Sequence, residues 1–169
     1  MRWEAVHLVE QLDGLRDDLR DLERRLRTAA QHMPGYLCVT SIPGVGPVLA
    51  AMILAAIGDP RRFQHPRQVL RLAVLDLCAS RSGKSSDRAV PKISKQGKDG
   101  LRYALVHSSI IASRSNAATR TYFSRLLEGR EQERGIKLKM HVKMAAKLLV
   151  VAWTLMKRDE TFDPAVFMP

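Results

Sequence analysis

Apolar side chains at the start of the chain recur at alternating intervals of three and four: Ala5, Leu8, Leu12, Leu15, Leu19, Leu22, Leu26, Ala29 and Met33. Arg, Asp and Glu fill the flanks. Sustained heptad spacing predicts a helix whose stripe pairs with another chain as a coiled coil. An amphipathic helix lying on its own core is the alternative, and the strict spacing favours the coiled coil. Pro34-Gly35 is a strong helix stop. Residues 1–34 are therefore expected to form a coiled-coil helix, 35–158 a compact helical domain and 159–169 a C-terminal tail.

Beyond Pro34, two apolar segments, Tyr36–Thr40 and Val48–Ile57, flank Ser41-Ile42-Pro43-Gly44-Val45-Gly46-Pro47. This pattern has helix-hairpin-helix character. Its glycines permit a tight turn, and the backbone N–H groups of Gly44, Val45 and Gly46 are candidates to hold a phosphate without reading sequence. A plain tight turn between core helices fits the same residues. Pro47 suits the first turn of the following helix, where its missing N–H costs nothing. A dinucleotide-binding motif is excluded, because its third glycine falls on Leu49. After Gly58-Asp59-Pro60-Arg61-Arg62-Phe63, the spacing predicts a helix over 66–73. Helical spacing resumes through Leu101, Leu105, Ser108 and Ala112, breaks at Asn116 and continues over 119–127. A charged turn, 129–135, leads to a long final helix with Leu138, Val142, Ala145, Leu149, Trp153 and Met156 facing the core. Val74–Cys78 and Ala89–Ile93 are candidates for a short β-hairpin around a basic loop. The fold class is mainly α.

Aromatic residues are only 5% of the 169, so the core must be built from aliphatic side chains and Met. The formal net charge is +11, which makes a polyanion the first partner to consider. The excess is uneven: residues 34–102 hold 11 basic and 4 acidic side chains, whereas residues 1–33 hold 6 and 7. Arg61 and Arg62 give the first linker a basic surface, and Lys137, Lys143 and Lys147 do the same for the last helix, although a solvated face explains these lysines equally well. Cys38 and Cys78 form no pairing pattern, which fits a reducing cytoplasm. The opening residues lack the apolar core of a signal peptide. The longest apolar stretch, Met144 to Met156, is too short to span a bilayer, so no membrane is expected as a partner.

Candidate chemistry concentrates in Ser80-Arg81-Ser82-Gly83-Lys84-Ser85-Ser86-Asp87-Arg88. A serine hydroxyl needs activation at neutral pH, and neighbouring cations lower its pKa and stabilise charge on a phosphoryl group under attack. Arg81, Lys84 and Arg88 are candidates for that task beside Ser82, and Gly83 lets a phosphodiester approach. Lys92, Lys95, Lys98 and Arg102 extend the basic run and are candidates for nucleic-acid binding. The same composition also suits a solvated connection. A P-loop is excluded, since its first glycine falls on Cys78. Scattered histidines and few carboxylates give metal-dependent hydrolysis little support, and no metal ligand is assigned.

Five blocks recur in order: Ser41–Pro47; Gly58–Phe63; Leu75-Asp76-Leu77-Cys78-Ala79-Ser80-Arg81-Ser82-Gly83-Lys84; Ile93-Ser94-Lys95-Gln96-Gly97; and Leu101-Arg102-Tyr103-Ala104-Leu105. Together they resemble the C-terminal domain of the bridge-RNA-guided insertion-sequence transposases, the serine/DEDD transposases. The resemblance covers residues 36–157, and the N-terminal helix resembles that family's coiled coil. It implies a catalytic serine within a Ser-Gly pair, here Ser82-Gly83, and a covalent serine–phosphate intermediate in DNA strand cleavage and exchange. It implies DNA and a guide (bridge) RNA as partners, and homo-oligomers formed through the N-terminal helix. In that family a preceding RuvC-like domain holds Mg2+ on four acidic residues. This sequence has no counterpart of that domain, so no cofactor is assigned to the chain itself, and the chain is expected to be one part of the machinery. Val74 stands where many members have glycine, and Leu77 where many have proline. A binding and oligomerisation module without chemistry of its own is the alternative.

Overall fold

A computed structural model describes residues 2–73 and 97–167, which form seven α-helices and two 3-10 turns, with no strand among the described residues. The candidate hairpin, Cys78, Ser82 and its neighbours Arg81, Lys84, Arg88, Lys92 and Lys95 lie outside the described residues.

Helix α1, Arg2–Gln31, ends just before Pro34-Gly35. Its leucine stripe has no partner among the described residues: Leu8, Leu12, Leu15, Leu19, Leu22 and Leu26 are all exposed, Leu15 at 67%. Only the C-terminal end is seated, with Ala30 buried and Met33 packed on the core. The helix carries i,i+3 and i,i+4 ion pairs such as Arg20–Asp17 at 2.7 Å and Arg25–Asp21 at 2.6 Å, each worth only a few tenths of a kcal/mol. The alternative reading, in which this helix lies on its own core, does not describe the single chain.

Helices α2, Tyr36–Thr40, and α3, Pro47–Ile57, flank the Gly44 turn, with Pro47 in the first turn of α3. A 3-10 turn, Pro60–Arg62, leads to α4, Pro66–Ala73. Beyond residue 96 come α5, Asp99–Ser115, α6, Ala117–Leu127, and α7, Ile136–Arg158. Asn116 makes the α5–α6 break, because its side chain accepts the Thr119 N–H at 3.1 Å and caps α6. The core lies where α3, α5 and α7 meet, through Ile53, Leu54, Leu101, Leu105, Met144, Leu148 and Leu149. Its buried hydroxyls are satisfied by helix carbonyls: Ser108 donates to Ala104 at 2.8 Å and Thr119 to Ala112 at 2.6 Å.

One detail departs from the sequence reading. Leu138 is 61% exposed rather than core-facing, because α7 buries Ile136, Met140, Met144 and Leu148 on the opposite side of its first turns. The C-terminal tail packs back onto the helices. A second 3-10 turn, Pro164–Phe167, buries Phe167 against Tyr122, the ring centroids 5.2 Å apart, and the Phe162 N–H donates to the Ser41 hydroxyl at 2.8 Å.

Candidate nucleic-acid interface

The glycine turn presents less backbone than its motif suggests. Gly44 has φ +82, a region that L side chains rarely adopt. A Cβ there would lie 2.7 Å from the Ala112 N and closer still to the Ser108 O, so the turn rests directly on the backbone of α5. Val45 is buried, and its N–H donates to the Ile42 carbonyl at 3.1 Å. Gly46 is exposed at the N-terminus of α3, with open space around its Cα. Of the three candidate residues, two are engaged in packing and one faces solvent.

Arg61 and Arg62 are exposed on a firmly mounted turn. Asp59 Oδ1 accepts the Arg61 N–H at 2.9 Å, and the Trp153 indole donates to the Pro60 carbonyl at 2.9 Å. The Arg62 guanidinium sits 4.5 Å from the Phe63 ring centroid, and Lys157 Nζ donates to the Phe63 carbonyl at 3.3 Å. Arg61 also borders a groove of about 980 Å³, shared with Met33, Gly35, Lys157, Arg158 and Asp159.

The remaining candidates differ in what holds their charge. Lys98 Nζ donates to the Ala56 carbonyl at 2.9 Å and its backbone N–H to the Leu72 carbonyl at 2.9 Å. Arg102 donates to the Ala73 carbonyl at 3.3 Å. Lys98 thus reaches the last turn of α3, where unpaired carbonyls and the helix dipole favour a cation. Lys147 Nζ lies over the rings of Tyr122 and Phe167, at 4.3 and 4.6 Å from their centroids, and burial pushes its pKa down. It is committed to this aromatic nest, whereas Lys137 and Lys143 are exposed. Among the described residues, no cluster of three or more His, Cys, Asp or Glu side chains is suited to hold a metal, and no helix is long and apolar enough to cross a membrane.

One pairing had no signal in the sequence. Ser109 Oγ lies 3.2 Å from His141 Nδ1, two residues far apart in the chain that the packing of α5 on α7 brings together. The serine hydroxyl also lies within donating distance of the Val106 carbonyl, at 2.7 Å. Phe123 stacks on the imidazole at 4.2 Å. Burial first, and Arg114 second, lower the His141 pKa below its ordinary 6.5. A histidine held neutral in the folded state is protonated more readily when unfolded. Stability is accordingly expected to hold above about pH 6.5 and to fall as pH drops below it. Thermal melts of His141→Gln should show a smaller acid loss than the parent, and equal losses would remove this residue from the pH dependence. Cys38 is no nucleophile: burial, then its hydrogen bond to Asp159 at 3.4 Å, push its thiol up and keep it protonated.

Residues 36–124 match the model of the transposase IS116/IS110/IS902 family. The chain is 30% identical over 162 residues to a probable family 20 transposase of Pseudomonas aeruginosa, an alignment covering 92% of this chain and 47% of the relative. It is 29% identical over 142 residues to the transposase for insertion sequence element IS1111A of Coxiella burnetii, covering 84% of this chain and 38% of the relative. A pilin gene-inverting protein of Moraxella bovis is 26% identical over 128 residues, covering 76% of this chain and 38% of the relative. The chain spans about half or less of the length of these curated relatives.

Proposed function

Because the chain belongs to the IS116/IS110/IS902 transposase family, we propose that it is the strand-transfer part of such an enzyme, acting on DNA with Ser82 as nucleophile. The observation that carries the reading is that the family match runs through residues 36–124 and so contains the Ser82-Gly83 pair and its flanking cations. In this mechanism Ser82 Oγ attacks a DNA phosphorus, a serine–phosphate bond forms and the scissile P–O bond breaks. The serine proton passes to the leaving oxygen. A strand hydroxyl then attacks the phosphoserine, joins the new strand and returns the serine. Arg81, Lys84 and Arg88 stabilise charge on the phosphoryl oxygens during both steps. Exposed Arg61 and Arg62, with Gly46 at the start of α3, hold the DNA backbone, and a guide RNA supplies the pairing that selects the site. Ser82→Ala in the full-length protein with its guide RNA tests the reading, and unchanged strand exchange would remove Ser82 from the mechanism.

The unpartnered stripe of α1 supports a second element of the proposal: α1 pairs with α1 of another copy. Its leucines are exposed in the single chain, and burying each on pairing is worth about 1.5–3 kcal/mol. Leu15→Glu with Leu19→Glu should lower the mass seen by sedimentation to that of the single chain. A mass unaltered by these substitutions would end the idea.

A further inference from the structure

Helix α1 carries its charge unevenly from end to end. Between Glu4 and Asp18 stand five carboxylates and one arginine, and between Leu19 and Met33 stand four arginines and two carboxylates. The helix thus has an acidic half and a basic half, and the basic half adjoins the globular body, where Ala30 is buried. Two such helices lying side by side in the same direction set like halves against like. Running in opposite directions, they set each acidic half against a basic one.

The residues beside the stripe carry the same bias. Ala5, Leu12, Leu19 and Leu26 take one stripe position of the heptad, and Leu8, Leu15, Leu22 and Ala29 take the other. In a parallel pair the two flanks of the seam face each other. Asp18 of each copy then meets Glu23 of the second copy, and no opposite-charge contact across the seam offsets the two repulsions. In an antiparallel pair Ala5 packs opposite Ala29, Leu8 opposite Leu26, Leu12 opposite Leu22 and Leu15 opposite Leu19, so these stripe positions all find a partner. Each flank then faces its own counterpart. Side chains lean toward the N-terminus of their own helix, so Arg16 and Glu23 of opposed helices lean toward each other, twice per pair. One like contact remains, Asp18 with Asp18 of the second copy at the centre. Arg16 pairs with Asp13 of its own helix at 3.2 Å, but the two side chains are 60% and 62% exposed, and such a pair contributes too little to hold the guanidinium back.

We infer that α1 pairs antiparallel with α1 of a second copy of this chain, Arg16 of each copy facing Glu23 of the other. The inference rests on the reading that the exposed stripe pairs copies, and it adds a polarity and a register to it.

The test uses the full chain. Ala5→Cys and Ala29→Cys are prepared separately, then mixed and equilibrated in a glutathione redox buffer. Disulfides are mapped by peptide mass spectrometry, which sets apart any bond to Cys38 or Cys78. In the antiparallel pair the thiol at position 5 bonds to the thiol at position 29, and neither variant cross-links to itself. The two positions lie about 36 Å apart along the helix at 1.5 Å per residue, so parallel pairing in register cannot mimic this result. Bonds from 5 to 5 and from 29 to 29 would overturn the inference while the pairing of copies stands. A dimeric mass by sedimentation with no bond at either position overturns it as well, and the mass of a single chain overturns both readings. Charge gives a second readout, of opposite sign for the two polarities. Glu23→Arg should raise the dissociation constant of the antiparallel dimer by about tenfold, and Arg16→Glu combined with Glu23→Arg should restore it. In a parallel pair Glu23→Arg instead relieves the contact with Asp18, so a dissociation constant that is unchanged or lowered by this substitution would sink the proposal.

Discussion

Alanine at position 44 is expected to destabilise the protein by about 2–6 kcal/mol, a large share of the roughly 5–15 kcal/mol that holds a domain folded. Two costs combine. Gly44 has φ +82, and a side chain there carries strain of about 1–3 kcal/mol. The added methyl also meets backbone rather than a side chain: Ala112 N at 2.7 Å, Ala112 Cα at 3.2 Å and, nearest, the Ser108 carbonyl. Neither helix turn can move aside without opening the α5–α7 core, which adds about 1–3 kcal/mol of overpacking. Urea denaturation should show a lower midpoint at unchanged slope. Gly46→Ala is the control. Its Cβ enters open space, and exchanging glycine for alanine at a helix N-cap should cost no more than about 1 kcal/mol. Equal midpoints for Gly44→Ala and Gly46→Ala would show that the turn does not rest on α5 as described.

Ser82→Ala in the full-length transposase is expected to lower strand cleavage by about 10⁴-fold or more, the scale seen when a covalent nucleophile is removed. DNA binding and its salt slope should stay as in the parent, because phosphate neutralisation by Arg and Lys does not involve a neutral hydroxyl. The predicted covalent protein–DNA species should also vanish from denaturing gels. Ser80→Ala and Ser85→Ala test the choice of serine, since both sit among the same cations but lack the following glycine. A covalent adduct that persists in Ser82→Ala would assign the attack elsewhere.

Much of the architecture was legible because punctuation and periodicity agree locally. Pro66 opens α4 and Pro47 lies in the first turn of α3, each where its missing N–H is harmless. Asn116 breaks α5 from α6 through its own side-chain cap. What escaped the sequence depends on contacts between distant elements. Helix α7 is apolar around much of its circumference, so two stripes compete, and packing on α5 chose the one that leaves Leu138 in solvent. Gly44 reads as a turn glycine with a backbone N–H free for a phosphate until α5 is seen against it. Lysines look alike in a sequence, yet Lys98 reaches a helix end, Lys147 lies between aromatic rings and Lys143 faces water. Phe167 belongs to the core only because Tyr122 and Phe162 form its seat. The choice of Ser82 among the serines of its loop came from the family resemblance, and that loop lies outside the described residues.

The attachment of α1 by one end has a geometric consequence for paired chains. Thirty residues of helix measure about 45 Å at 1.5 Å per residue. Two such rods lying side by side in the same direction would bring their globular bodies together. Head to tail, they would hold the bodies apart by roughly the length of 13 base pairs, taking 3.4 Å for each. If the chains pair as proposed, the polarity of that pairing would work as a ruler, deciding whether two copies engage neighbouring or separated stretches of duplex.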